Sequence, residues 1–308
     1  MYQLWKFSSG SQPRVSEHLS EMPKLPLRQT PRRHLHMPPL PTNHPPKIQS
    51  RTPNKTMPRP TSDNSLNPTK IEWCRNPPDN IHQGWSWNPT VGCNGVGCAV
   101  RNECWARAQA KRQKPVIDIN GHPRGCQKCY DFTPHHHPER YVQPHLVRKP
   151  SGIAVSLMSD IFDATFSRFM ITSIINIMRE TPRHRYYILT KQPQNTKNYP
   201  ELPDNAWVGV TVNRKTDLWR IEELRKINAT IRYISFEPLY EDMGKLDLTG
   251  IDWVIIGTET CNGRPTFQPD TSWVRHISLE TAKPLGIPAF YKDNLHFCPG
   301  LEEFPKVK

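Results

Sequence analysis

From residue 153 to residue 291 the sequence repeats one theme, in which a short apolar run is followed by a polar turn and then by a stretch of helical periodicity. The apolar runs are residues 153–158 (IAVSLM), 186–190 (YYILT), 207–212 (WVGVTV), 231–236 (IRYISF), 253–257 (WVIIG) and 287–291 (IPAFY). Runs this short, rich in β-branched and aromatic residues, read as buried strands. Residues 164–180 place Phe166, Phe169, Met170, Ile174, Ile177 and Met178 at helical spacing, and Pro182 stops the pattern. Residues 216–227 carry a stripe of Leu218, Ile221, Leu224 and Ile227, and residues 272–282 read as a further helix. Residues 85–88 are a short first strand, and residues 103–113 form a helix that Pro115 ends. Strands alternating with helices imply a parallel sheet of βα units. Six or seven strands in about 230 residues fit an α/β barrel or partial barrel, with a doubly wound open sheet as the alternative. Neither a G-x-G-x-x-G nor a G-x-x-x-x-G-K signature supports that alternative.

In such folds functional groups gather at the C-terminal ends of the strands. Here those ends are polar at every turn: Ser159 and Asp160, then Thr190 and Lys191, Thr211 and Asn213, Glu237, Thr258 and Glu259, and finally Lys292 and Asp293. A helix cap or a loop hydrogen bond is the plainer reading of Asp160 or Thr211 taken alone. Recurrence at every strand points to a site.

Five of the eight cysteines fall in one short region. Cys93, Cys98 and Cys104 lie within GCNGVGCAVRNECWA, and Cys126 and Cys129 follow as C-Q-K-C. Soft thiolates clustered in a glycine-containing loop suit iron–sulfur or zinc ligation. Under reducing conditions clustered cysteines are ligands more often than disulfides. The pair at 126 and 129 suits a second metal, a four-thiolate zinc site shared with the loop, or replacement of one of the loop trio. His135, His136 and His137 precede Pro138, Glu139 and Arg140, where a solvated histidine run competes evenly with ligation. Cys74, Cys261 and Cys298 stand alone and read as structural.

The mean hydropathy of −0.70 and the net charge of +13 mostly describe the first 70 residues. That stretch holds 13 of the 33 prolines and eleven Lys and Arg against three Asp and Glu. Residues 1–69 are expected to be a disordered basic extension, and Met57 is one place where a shorter chain would start. Residues 70–298 then form the folded domain, with 299–308 as a tail. A basic balance favours nucleic acid or another anionic partner. No apolar run reaches the ~18 residues that span a bilayer, and the first ten residues lack the apolar core of a secretory signal, so a cytoplasmic protein is the expectation.

The series of motifs resembles a phage-associated family of unknown function described as radical-SAM-like. It comprises IEW at residues 71–73, WNP at 87–89, GC…CWA at 92–106, FTPHHHPER at 132–140 and SLMSDIF at 156–162. It continues with LTK at 189–191, WVGVTV at 207–212, SFEP at 235–238, IDWVIIG at 251–257 and FYKDN at 290–294. The resemblance implies a partial (β/α) TIM-like barrel of the radical-SAM type. It also implies a 4Fe–4S cluster held by three cysteines, leaving one iron open for S-adenosylmethionine. One electron from that cluster would split the sulfonium and release a 5′-deoxyadenosyl radical. The spacing departs from C-x-x-x-C-x-x-C: four residues separate Cys93 from Cys98, five separate Cys98 from Cys104, and Arg101 stands where the short spacing puts the third cysteine.

On this reading the metal ligands come from Cys93, Cys98, Cys104, Cys126 and Cys129. The cofactor-binding residues are Ser159, Asp160, Lys191, Glu237, Gly257 and Glu259, with Lys191 and Arg140 suited to a carboxylate and the two glutamates to ribose hydroxyls or an ammonium. His137, Glu139 and Arg140 are the positions that the family pattern singles out. Nucleic acid or a nucleotide is the first expectation for a substrate, with a dedicated protein partner and an electron donor beside it and no membrane. The alternative is a non-catalytic zinc-thiolate protein that binds nucleic acid. A barrel that no longer binds metal is a third reading.

Overall fold

A computed structural model describes residues 66–75, 84–100, 104–121, 123–261, 264–296 and 301–306. The expected disordered extension lies outside them except for its last few residues, and Arg101 and Cys298 lie outside them too. Eight strands form one sheet: β1 (Asn67–Pro68), β2 (Trp85–Trp87), β3 (Gly152–Val155), β4 (Arg185–Thr190), β5 (Ala206–Thr211), β6 (Arg232–Phe236), β7 (Trp253–Ile256) and β8 (Ala289–Tyr291). Their order in space is their order in the chain. β1 pairs with β2 antiparallel, and every later neighbour is parallel. A doubly wound sheet reverses its strand order at a switch point, and this sheet has no such reversal. It also does not close: β1 and β8 are its two outermost strands.

The expected strands are present, with their ends shifted by up to three residues: 153–158 is shortened to Gly152–Val155, while Arg185–Thr190 starts one residue earlier than expected. Parallel strands are buried on both faces, so they read in sequence as apolar runs. Side chains alternate across the sheet with a period of two. Tyr186, Ile188, Val208, Val210, Ile234, Phe236, Val254 and Ile256 face the larger cluster, where the helices pack. Tyr187, Trp207, Tyr233, Trp253, Ile255 and Phe290 face the other way and meet Trp73 and Cys74.

That second cluster is an aromatic layer. Trp73 meets Tyr187 edge-on with centroids 5.6 Å apart, Tyr187 meets Trp207 at 5.4 Å, and Trp253 meets Phe304 at 5.3 Å. Each such pair adds about 0.5–1.5 kcal/mol beyond its burial. Residues 301–306 complete the layer, because Leu301 accepts from the Tyr291 N–H at 2.8 Å and Glu303 accepts from the Trp253 indole at 2.9 Å. The expected tail is thus in part an edge of the fold.

Helix α1 (Trp105–Lys111) follows the cysteine loop, and α2 (Gln127–Asp131) begins at Cys126. Helix α3 (Arg168–Glu180) starts at Ser167, whose hydroxyl accepts from the Met170 N–H at 3.4 Å. Its buried stripe is Ile171, Ile174, Ile175, Ile177 and Met178. Phe169, expected within that stripe, is 79% exposed instead. At about 100° per residue, position 169 falls opposite the centre of the buried stripe, and Phe166 reaches the core from the turn before the helix. Helix α4 (Trp219–Arg225) is led in by a 3₁₀ turn at Lys215–Asp217 and buries Ile221 and Leu224. Helix α5 (Thr271–Arg275) runs on into a π-helical stretch, His276–Ala282. No helix among the described residues is long and apolar enough to cross a membrane.

Candidate functional site

The inward parity of each strand continues past its C-terminal end. From Tyr187 it runs through Leu189 to Lys191, from Trp207 to Thr211 and Asn213, from Tyr233 through Ser235 to Glu237, from Trp253 to Gly257 and Glu259, and from Phe290 to Lys292. Leu189, Lys191, Thr211, Asn213, Ser235, Glu237, Glu259 and Lys292 line one cavity of about 340 Å³, to which Trp73 also contributes. Val100 and Trp105, from the cysteine loop and the helix that follows it, form part of its wall. A larger cleft of about 910 Å³ lies at the opposite end of the sheet, against Ile231, Asp252 and Pro288. That is the N-terminal end of the strands.

The cavity has two signs of charge. Lys292 Nζ donates to Glu237 Oε1 and lies 3.8 Å from Glu72 Oε2. Burial alone would lower the Lys292 pKa, but the Glu237 and Glu72 carboxylates outweigh it and hold the ammonium above the ordinary lysine value. Gly257 makes room for this pair, since a Cβ there would meet Lys292 Cδ at 3.0 Å and Glu237 Cγ at 3.1 Å. Across the cavity Glu259 accepts from Tyr240 at 3.0 Å and from Thr266 at 2.8 Å. Lys191 makes no ion pair among the described residues.

Four buried polar atoms of the lining have no partner among the described residues: Trp73 Nε1, Thr211 Oγ1, Asn213 Oδ1 and Ser235 Oγ. An unmet buried group costs about 1–3 kcal/mol, and native interiors leave few of them. Four of them belong to residues that line one cavity.

Two of the expected cofactor residues fall elsewhere. Asp160 is buried beneath the strand ends, where it accepts from the Thr190 hydroxyl and the Lys191 N–H, each at 2.7 Å, and from the Phe162 N–H at 3.1 Å. Burial raises its pKa and these bonds partly offset the rise. Ser159 bonds to Thr90 at 2.7 Å. The parity rule fails on β3 because the chain turns at Ser156, whose φ is +55°. Sequence reasoning passed over Glu72 and Trp73, which precede β2 and reach the mouth only because the chain folds back across the sheet.

The loop bearing Cys93, Cys98 and Cys104 is tied down at both sides. The Asn94 N–H donates to Asp163 Oδ2 at 3.0 Å. The buried Arg220 donates to the Gly97 and Thr211 carbonyls and pairs with Asp217 Oδ1 at 3.0 Å. All three thiols are half-buried. Burial, with the neighbouring Cys104 thiol adding to it, raises the Cys93 pKa. Cys93 and Cys104 pack against Ala106, Ala110 and Phe132. Cys74 is fully buried, its thiol pushed up to about 12 by desolvation, which fits the structural role expected of it.

Cys126 and Cys129 go to a different centre. With His135 and His137 they form the one group of three or more such side chains, among the described residues, whose ligand atoms lie within 4.8 Å of one another. Cys126 precedes α2 and Cys129 lies within it, while His135 and His136 pair with Thr90 and Val91 in a short antiparallel bridge. His135 and His137 share parity, so both rings face the sulfurs. The other two positions that the family pattern singled out stand beside this centre: Glu139 contacts His137, and Arg140 Nη1 donates to the Asn88 carbonyl at 2.9 Å.

The chain belongs to the family described as protein of unknown function (DUF5131), whose model matches residues 68–303. No curated protein and no solved structure matches it.

Proposed function

We propose that this protein is a radical-SAM-like enzyme whose open sheet is a partial (β/α) barrel and whose mouth binds S-adenosylmethionine. One observation carries the reading: a single cavity is bounded both by the C-terminal ends of five successive parallel strands and by the loop that bears three cysteines. A cavity of about 340 Å³ lies within the range that small-molecule cofactors occupy.

The lining suits this ligand group by group. A methionyl moiety carries an ammonium and a carboxylate, and the cavity offers Glu237 and Glu259 against Lys191 and Lys292. Ser235, Thr211, Asn213 and the Trp73 indole offer unmet donors and acceptors to ribose hydroxyls and an adenine edge. Leu157, Leu189, Val100 and Trp105 cover the apolar remainder and exclude water. Binding in a fixed pose is the protein's main contribution in this class of chemistry.

The donor set fits a four-iron cluster. Cys93, Cys98 and Cys104 are three soft thiols on one loop, one fewer than the irons, so that one iron stays open. Such a cluster spreads its ligand sulfurs more widely than a single ion does, which suits a trio that does not converge on one point. When bound there, it supplies the electron that splits the sulfonium. Arg220 and Asp163 keep the loop against the strand ends.

The competing reading, a non-catalytic zinc-thiolate protein, draws on Cys126, Cys129 and their two histidines, but it leaves the unmet polar atoms of the mouth without a purpose. Nucleic acid stays a proposed partner on the charge of residues 1–70 alone. The test is calorimetric titration of S-adenosylmethionine into anaerobically iron-reconstituted full-length protein. One saturable site, weakened at least tenfold in Glu237→Gln, is expected. Iron-loaded protein that shows no saturable binding would sink the reading.

A further inference from the structure

We infer that Cys126, Cys129, His135 and His137 hold one zinc ion in a closed, four-coordinate site, and that this ion fixes the floor beneath the three-cysteine loop. The inference stands apart from the reading of the mouth and survives or fails without it.

The separations match a single tetrahedral ion. Cys126 Sγ lies 3.5 Å from His135 Nε2, Cys129 Sγ lies 3.4 Å from the same nitrogen and 3.1 Å from His137 Nε2, and the two Nε2 atoms are 2.9 Å apart. Zinc bonds of about 2.3 Å to sulfur and about 2.0–2.1 Å to nitrogen, at tetrahedral angles, place sulfur about 3.6 Å from nitrogen and the nitrogens about 3.3 Å apart. A two-iron cluster ligated by two cysteines and two histidines binds each pair to a separate iron. Here sulfurs and nitrogens converge on one point.

The hydrogen bonds behind the rings fix the tautomers. His135 Nδ1 donates to the Thr133 carbonyl at 2.7 Å, and His137 Nδ1 donates to Glu139 Oε1 at 2.5 Å. Both partners can only accept, so both Nδ1 atoms carry the proton and both Nε2 atoms present lone pairs. Two lone pairs facing each other beside two sulfurs are an arrangement that a bound cation satisfies. A carboxylate or a carbonyl behind a ligating histidine is the usual support of a zinc site. Two thiolates cancel the charge of the ion, which suits a centre in which Cys129 and His137 are buried. Four protein ligands leave no open position, so the ion is structural rather than catalytic.

The site also backs onto the loop. α2 ends at Phe132, whose positive φ turns the chain towards Thr133 and the two histidines. A Cβ on Gly92 would lie 2.6 Å from the Phe132 and Thr133 carbonyl oxygens, so the backbone that leaves the metal site touches the residue before Cys93. The Phe132 ring packs with Ala106 and Ala110 against Cys93 and Cys104. Loss of the ion would release the surface on which these two cysteines rest. Glu139 acts here as a positioning residue for His137.

The test is metal content and the cobalt spectrum of the full-length chain. About one zinc per chain is expected in the wild type, retained in Cys93→Ala/Cys98→Ala/Cys104→Ala and lost in Cys126→Ser/Cys129→Ser. Cobalt loading of the wild type is expected to give the intense visible bands of a four-coordinate thiolate–imidazole site, a readout that needs no variant to fold. Glu139→Gln, which keeps all four ligands, is expected to weaken zinc binding ten- to a hundredfold in chelator competition. A six-coordinate cobalt spectrum would overturn the inference, as would zinc that stays with the Cys126→Ser/Cys129→Ser chain.

Discussion

The two cysteine groups of this molecule use the same side chain to different ends. Cys126 and Cys129 meet two histidines at 3.1–3.5 Å, with an acceptor behind each ring. Cys93, Cys98 and Cys104 form no such convergence with one another; their loop instead gives Val100, and the helix after it Trp105, to the wall of a cavity. The tight group has a geometry that a single ion completes, and its Cys126, Cys129 and His137 also border a cleft of about 710 Å³. The open group is held by others: Asp163 and Arg220 anchor its backbone, and Phe132 packs beneath it. On the two proposals, one centre serves rigidity and the other chemistry, and the first supports the second.

The largest expected effect follows from removing the tight centre. Stripping zinc with a strong chelator, or making Cys129→Ser, should lower the thermal midpoint by ten degrees or more. Structural zinc contributes many kcal/mol, and each kcal/mol moves the midpoint of a domain this size by about 2–4 °C. A midpoint unchanged in a calorimetric scan would dissolve the distinction between the two centres.

Next is Arg220, which clamps the open group. Arg220→Met leaves Asp217 buried without its partner and frees the Gly97 carbonyl. A loss of about 3–5 kcal/mol in urea unfolding is expected, together with faster alkylation of Cys98. Unchanged thiol reactivity would mean that the loop does not depend on this clamp.

Glu237→Gln probes the mouth with a smaller effect. Lys292 is held above its ordinary value of 10.5, so its contribution to stability is complete below that pH and is lost as pH rises through the folded value. Without Glu237, burial counts for more and the lysine titrates lower. The alkaline loss of stability should begin at a lower pH, read from unfolding curves between pH 9 and 11. An alkaline limb that does not move would show that Glu72 alone sets the charge.

Ser235→Ala should show the least. Its hydroxyl is buried without a partner, so removing it stabilises the unliganded protein by about 1 kcal/mol. The same change should weaken S-adenosylmethionine. Stabilisation with no loss of affinity would place the ligand away from Ser235.

Much of this was legible in the sequence, for a physical reason. Parallel strands buried on both faces appear as apolar runs, so seven of the eight strands could be read directly. The site residues that fell into the cavity, Lys191, Glu237 and Glu259, share the inward parity of Tyr187, Tyr233 and Trp253. That parity is visible in the letters and would also have picked out Asn213 and Lys292. Asp160 and Ser159 escaped it because the chain turns at Ser156. The histidine half of the tight centre was hidden for another reason. His135 and His137 reach Cys126 and Cys129 only because their strand pairs with Thr90 and Val91, some forty-five residues earlier. Local spacing carries no trace of that pairing, and the even contest between a solvated histidine run and ligation could not be decided before it was seen. Phe169 misled because its apolar character suggested burial, although at about 100° per residue it lies opposite the stripe of Ile171, Ile174, Ile175 and Met178.

The central claim is that the open group and the cavity beside it act together on S-adenosylmethionine. The most direct measurement is anaerobic incubation of iron-reconstituted full-length protein with S-adenosylmethionine and a strong reductant, with the products read by mass spectrometry. The account predicts 5′-deoxyadenosine and methionine in equal amounts, both lost in the Cys93→Ala/Cys98→Ala/Cys104→Ala variant while its zinc is retained. Wild-type protein that carries about four irons per chain yet leaves S-adenosylmethionine intact would contradict it.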